Sequence, residues 1–118
     1  MTIVTQALLV MVALLHIYFL ILEMFYWDKP MGMKIFRTQA DFAHASKALA
    51  ANQGLYNGFL AAGLLCGLYL GTAGNSVSVF FLLCVITAGI FGTWTVNRRI
   101  FYIQALPAII TLAMLIVV

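Results

Sequence analysis

Charge is what this sequence lacks. Of its 118 residues only 8% are charged, six basic against three acidic, while 65% are hydrophobic. Ordinary globular domains carry roughly 25% charged residues, so this chain holds too little polar surface to face water all round, and lipid is expected to be its outer solvent. Other absences narrow the function. The two cysteines, Cys66 and Cys84, stand in apolar runs with no CxxC spacing and no histidine beside them, which reads as a packing role and not as a metal motif, with a disulfide between neighbouring helices left as the alternative. No glycine-rich phosphate loop is present, and the basic residues form no patch interleaved with aromatics, so nucleotide and nucleic-acid binding are excluded. The N-terminal apolar run has neither a basic leader nor a small-residue cleavage site before Phe25-Tyr26-Trp27, so it reads as a lasting helix and not as a signal peptide. Repeats, linkers and low-complexity segments are absent too.

What is present is a succession of apolar runs. Residues 2–27, 48–71, 77–96 and 100–118 are each near or above the roughly 20 residues that span a bilayer, with terminal aromatics at Phe25, Tyr26 and Trp27 suited to the headgroup level. The predicted fold is all-α, one membrane domain over 1–118, a four-helix integral membrane bundle. Between the first two spans, Lys34, Arg37, Asp41 and His44 fall at helical spacing with Ile35, Phe36, Phe42 and Ala43 toward another face. That pattern predicts an interfacial amphipathic helix with Pro30 in its first turn. Pro107 predicts a kink in the last span. All six Lys and Arg residues lie in the first and third connections, which the positive-inside rule puts in the cytoplasm, with both termini outside.

The second run is unusual for a membrane helix. It carries Asn52-Gln53-Gly54-Leu55-Tyr56-Asn57-Gly58, and amides in hydrocarbon need other polar groups as partners. Partners exist at matching depth. At about 1.5 Å per residue, Glu23 lies roughly 6 Å and His16 roughly 17 Å from the cytoplasmic end of the first span, Asn52 and Gln53 about 6 to 8 Å into the second, Asn57 about 13 Å, and Gln104 about 6 Å into the fourth. His16, Glu23 and Trp27 share one helix stripe, while Arg98 and Arg99 stand at the mouth of the fourth span. These positions predict a polar cavity in the cytoplasmic half, with Asn52, Gln53, Tyr56, Asn57, Gln104, Trp27, Arg98 and Arg99 as ligand-binding residues. The plain alternative is an internal hydrogen-bond network, since such amides typically stabilise membrane bundles by about 1 kcal/mol or less each. Glu23 favours function, because an intramembrane carboxylate is expensive and adds no stability that glutamine would not.

The pattern His16-x-x-Phe19-x-x-x-Glu23-x-x-x-Trp27, then Asn52-Gln53-Gly54-Leu55-Tyr56-Asn57-Gly58-Phe59, then Gln104-x-x-Pro107-Ala108, resembles the domain of unknown function 1304 family of small, mostly bacterial membrane proteins. That resemblance implies four helices and a bacterial cytoplasmic membrane, and no reaction. A looser likeness joins Ala51-Asn52-Gln53 and Arg98-Arg99-x-Phe101-Tyr102 to the membrane-associated eicosanoid and glutathione metabolism family. Here the chain departs from the pattern: Tyr56 and Asn57 stand where an acidic residue is expected, and the turn into the fourth span is shorter.

Three functions fit these residues. A membrane enzyme would use Glu23 and His16 for acid/base isomerisation or group transfer on a lipophilic molecule, with the amides and Tyr56 holding an oxygen. A small proton-coupled transporter would use Glu23 as its coupling carboxylate, an architecture similar to the small multidrug resistance family. A lipid-binding or scaffold protein would do neither. His16 with Glu23 supplies too few ligands for a metal, and no cofactor is indicated. The expected partners are membrane lipid, a small lipophilic ligand, and further copies of the chain as a dimer or trimer, because Gly54, Gly58, Ala62 and Gly63, Gly67, Gly71 recur at every fourth residue.

Overall fold

The computed structural model describes residues 1–117 and is built from helices, with no strand among them. In chain order these are α1 (Ile3–Phe25), α2 (Pro30–Phe36), α3 (Ala40–Ala45), α4 (Lys47–Tyr69), α5 (Asn75–Thr95) and α6 (Leu106–Val117), with a 3₁₀ turn at Gly71–Gly74 and a π turn at Phe101–Ala105. The predicted all-α class is therefore observed. Two helical stretches, Ile3–Phe25 and Gly71–Thr95, are long and apolar enough to cross a membrane, with mean hydropathies of 2.4 and 2.1. The helix α4 equals α1 in length at 23 residues, but Lys47, Asn52, Gln53 and Asn57 interrupt its apolar run. The last apolar segment, Phe101–Val117, is shorter. Val118, the final residue of the predicted fourth span, lies outside the described residues.

The predicted interfacial helix is two short helices instead of one. Arg37 ends α2 in the left-handed conformation (φ 56°, ψ 47°), and Gln39 is extended (φ −88°, ψ 155°) ahead of α3. A left-handed residue cannot continue a right-handed helix, so the charged stripe read across Lys34, Arg37, Asp41 and His44 is broken between its second and third members. Pro30 occupies the first turn of α2, as its fixed φ favours.

The chain divides into two compact units, Leu15–Phe59 and a second formed by Met1–Leu14 with the chain from Leu60 onward. In the first unit, the end of α1 and the start of α4 run antiparallel and close together. A Cβ on Gly54 would meet Met24 Cγ at 2.6 Å, Leu20 O at 3.1 Å and Glu23 Cβ at 3.2 Å, and one on Gly58 would meet Leu20 Cδ1 at 2.7 Å. Small residues thus let the backbones approach, the usual means of helix association where apolar burial gives no drive. Gly32 of α2 packs on the Tyr26–Trp27 backbone.

The second unit repeats this device twice. Gly63 faces the Phe81 ring and Gly67 faces Ser78, which pairs the end of α4 with the start of α5 across the 3₁₀ turn. Gly89 lies against Ala105 and Gly92 against Ile100, which pairs the end of α5 with the π turn. The π turn stands just before Pro107, where the sequence predicts a kink. Pro107 has no N–H to donate and its ring crowds the preceding turn, and the wider winding is carried by the Leu106 N–H bonding to Phe101 O. Gly54, Gly58, Gly63 and Gly67 of α4 are thus each met by another element of the same chain. The cysteines are both free thiols, Cys66 exposed and Cys84 half-buried.

Candidate functional site

Within the unit Leu15–Phe59, antiparallel pairing brings two of the sequence-predicted residues together. Asn57 Nδ2 donates to Glu23 Oε1 at 2.6 Å and also to Gln53 O at 3.2 Å, one turn back on its own helix. The close approach that Gly54 permits beside Glu23 is what puts a short amide within reach of the carboxyl. Both donors of the Asn57 amide are thereby engaged, one of them on a single Glu23 oxygen. A carboxyl with two oxygens offers about four acceptor sites, so the Asn57 amide takes only part of its capacity. Glu23 and Asn57 are each half-buried.

The remaining predicted residues of this unit have other surroundings. His16 is fully buried, two helical turns back on α1, with its ring edge-on to Phe19 at 6.0 Å. Asn52, Gln53 and Tyr56 are exposed, Tyr56 by 51%. Trp27 uses its polar atom at the foot of the helix pair. Its Nε1–H donates to Ser46 Oγ at 3.0 Å, and that hydroxyl donates to Phe42 O at 2.6 Å. The Trp27 ring also packs on Phe36 at 4.9 Å. Trp27 thus clamps α2 and α3 to the ends of α1 and α4. Ser46 was not singled out in the sequence, although a serine directly before a long helix is a recognisable start signal.

Beside the clamp, Lys47 Nζ lies 3.3 Å from Asp28 Oδ2, with the Asp28 side chain 16% exposed. Desolvation pushes the Asp28 carboxyl upward, but the hydrogen bond from Lys47 and the Lys47 charge together hold it below its ordinary 3.8. Asp28, Ala40, Asp41, His44 and Ala45 wall a shallow depression of about 410 Å³. No predicted site residue lines it, and no group of three His, Cys, Asp or Glu residues is placed to hold a metal ion among the described residues.

The other unit holds Gln104, Arg98 and Arg99. Gln104 is half-buried in the π turn, and both arginines are exposed on the preceding turn, where the Arg99 N–H donates to Asn97 Oδ1 at 2.8 Å.

Chemically, the Glu23–Asn57 pair is a carboxyl positioned by a neutral amide. Such a pair can accept hydrogen bonds from a guest or exchange a proton with one. Residues 10–116 match the family described as Protein of unknown function (DUF1304). The chain belongs to this family. The match takes in Glu23, Asn57, Trp27 and the π turn alike. The uncharacterized protein YpaA of Lactococcus lactis subsp. lactis (strain IL1403) is 30% identical over 114 residues, covering 95% of this chain and 96% of that protein. No solved structure matches the chain.

Proposed function

We propose that this chain is an integral membrane protein of four spans whose Glu23–Asn57 pair binds a small lipophilic molecule with a hydrogen-bonding head. The observation that carries the membrane reading is exposure. The most apolar windows of the two long apolar helices are only 28% and 22% buried within the chain, whereas the core helix of a soluble protein is mostly covered. Tyr69, Trp94 and Val117 are each more than four-fifths exposed, and apolar area on that scale makes a protein associate in water. Four helix threonines are satisfied locally, as lipid demands, whereas the buried Ser78 Oγ and Asn75 Oδ1 at the start of α5 have no hydrogen-bond partner among the described residues. Thr87, Thr93, Thr95 and Thr111 each donate to the carbonyl four residues back, at 2.7 to 2.8 Å.

Orientation follows from the basic residues. Lys29, Lys34, Arg37 and Lys47 flank the first connection and Arg98 and Arg99 the third, with none in the second. Both basic connections then face the cytoplasm of a bacterial membrane, and Glu23 and Asn57 fall in the cytoplasmic half. A guest that donates to the oxygens of Glu23 and Asn57 completes the pair. Glu23 is the group that would exchange a proton with that guest, so acid/base isomerisation is the chemistry the pair supports best.

Native mass spectrometry of the protein released gently from its own membrane tests this reading on wild type, Glu23→Gln and Asn57→Ala. The expected result is a bound small molecule on the wild type that is lost from Asn57→Ala and weakened in Glu23→Gln, with the oligomer, a dimer or trimer, read from the same spectra. Three equally assembled, ligand-free proteins would leave a scaffold.

A further inference from the structure

The surface of α5 carries a second feature, separate from the carboxyl–amide pair. Thr87, Ile90, Phe91 and Trp94 recur at helical spacing and wall a groove of about 340 Å³. Its walls are apolar. Ile90, Phe91 and Trp94 are 51%, 60% and 83% exposed, and the Phe91 and Trp94 rings meet edge to face at 6.2 Å. The Thr87 hydroxyl is turned onto Leu83 O at 2.8 Å, which leaves its methyl as the outward group. From Thr87 to Trp94 the groove follows the helix for roughly 10 Å.

One turn beyond Trp94 the chain leaves α5 and reaches Arg98 and Arg99, both exposed. The turn is pinned by the Arg99 N–H bond to Asn97 Oδ1 and by the Ile100 N–H bond to Asn97 O at 3.1 Å. Neither guanidinium has an ion-pair partner among the described residues. The three acidic residues of the chain, Glu23, Asp28 and Asp41, all belong to the other unit. Two forked cations therefore follow the last groove residue, Trp94, by four and five positions in the chain, with no anion of their own unit to meet them. Guanidinium is weakly hydrated and matches the two free oxygens of a phosphodiester.

We propose that this groove holds an anionic phospholipid, its phosphate between Arg98 and Arg99 and an acyl chain along Thr87, Ile90, Phe91 and Trp94. The inference rests on the membrane reading above. A soluble anion would use the arginines alone and a neutral lipid mainly the groove. A phospholipid with net negative charge uses both, and basic sites on the cytoplasmic side of membrane proteins commonly recognise such headgroups.

The test is native mass spectrometry of the purified full chain in detergent micelles, titrated with phosphatidylglycerol or with phosphatidylcholine of the same acyl chains. Wild type is expected to prefer phosphatidylglycerol. The double variant Arg98→Gln/Arg99→Gln is expected to lose that preference by roughly tenfold to thirtyfold, from about a factor of five per basic residue. Trp94→Ala is expected to weaken both lipids by a similar factor and leave the preference intact. Lys34→Gln/Arg37→Gln removes the same charge from the first connection and is expected to change nothing. Equal binding of the two lipids to wild type, or equal loss of preference in both double variants, would overturn the site. Alkaline washing of the membranes separates the two failures. A chain that washes off refutes the membrane reading and this inference together, while a chain that stays but shows no preference refutes this inference alone.

Discussion

The Glu23–Asn57 hydrogen bond gives the most discriminating stability prediction. Its 2.6 Å length and half-buried setting put it at the strong end of polar contacts. Hydrogen bonds involving a charged group contribute roughly 1.5–3 kcal/mol in proteins generally, whereas polar pairs between membrane helices average about 0.6 and reach about 1.7 kcal/mol. On the membrane reading proposed above the membrane range applies, so a coupling energy of about 1–1.5 kcal/mol is expected from the cycle of Glu23→Ala, Asn57→Ala and the double variant. Asn57→Ala also removes the bond to Gln53 O, so its single effect should exceed that coupling and approach about 2 kcal/mol. Glu23→Gln keeps an acceptor oxygen of the same length and should cost well under 1 kcal/mol. The assay is reversible unfolding in mixed detergent micelles followed by circular dichroism. A coupling energy near zero, or a Glu23→Gln loss as large as that of Glu23→Ala, would refute the claim that one amide–carboxyl hydrogen bond joins α1 to α4.

Three further outcomes follow from the same structure. A Cβ at Gly89 would sit 2.8 Å from Ala105 N and Cβ and 3.0 Å from its Cα, while at Gly92 it would meet only the Ile100 side chain at 3.1 Å or more; Gly89→Ala should therefore destabilise by about 1–2 kcal/mol despite better helix propensity, and Gly92→Ala should be neutral or stabilising by some tenths, in thermal unfolding. Trp27→Phe keeps the packing on Phe36 but loses the bond to Ser46, with an expected loss of about 1 kcal/mol and faster backbone hydrogen exchange confined to residues 30–46. Because Lys47, with smaller contributions from a backbone hydrogen bond and Lys29, holds the Asp28 carboxyl below its ordinary 3.8, the stability it contributes is fully present above that value and is lost as pH falls through the depressed folded value; acid titration should show a larger loss in wild type than in Lys47→Met.

The helices were legible because periodicity and length are local properties. The apolar runs predicted at 2–27 and 77–96 correspond to α1 and α5 within two residues at each end, since nothing in them competes with helix. The two breaks in helical winding were less visible. Arg37 occupies a conformation that no composition rule assigns to arginine, and the amphipathic spacing around it looks unbroken. The π turn at Phe101–Ala105 stands just ahead of Pro107, which the sequence does show, but its Ala105 lies against Gly89, a contact sixteen residues away that no local pattern reports.

The candidate site was legible in part for a similar reason. Glu23 and Asn57 meet because Gly54 lets the helices close at that level, and the Asn-Gln-Gly-Leu-Tyr-Asn-Gly stretch carries both the amide and the glycine. Depth counting put Glu23 and Asn57 within reach of one another, as their hydrogen bond requires, but gave no rotation about the helix axis. Asn52, Gln53 and Tyr56 lie within five residues of Asn57 on α4 and are exposed, because at about 3.6 residues per turn the four positions spread over roughly 140° of the helix, wider than one neighbouring helix covers. Trp27 was read on the helix stripe of Glu23, but α1 ends at Phe25 and Trp27 stands in the turn beyond it, where its indole bonds to Ser46 at the turn between α3 and α4.

The central claim is that lipid surrounds this chain and that the Glu23–Asn57 pair lies in its cytoplasmic half. Cysteine accessibility tests it most directly, in a background where Cys66 and Cys84 are replaced by alanine and single cysteines stand at Lys34 and at Ser76. In intact cells a membrane-impermeant maleimide is expected to label the Ser76→Cys protein and to reach the Lys34→Cys protein only after the membrane is opened. Labelling of both positions from outside, or recovery of both proteins in the soluble fraction, would contradict it.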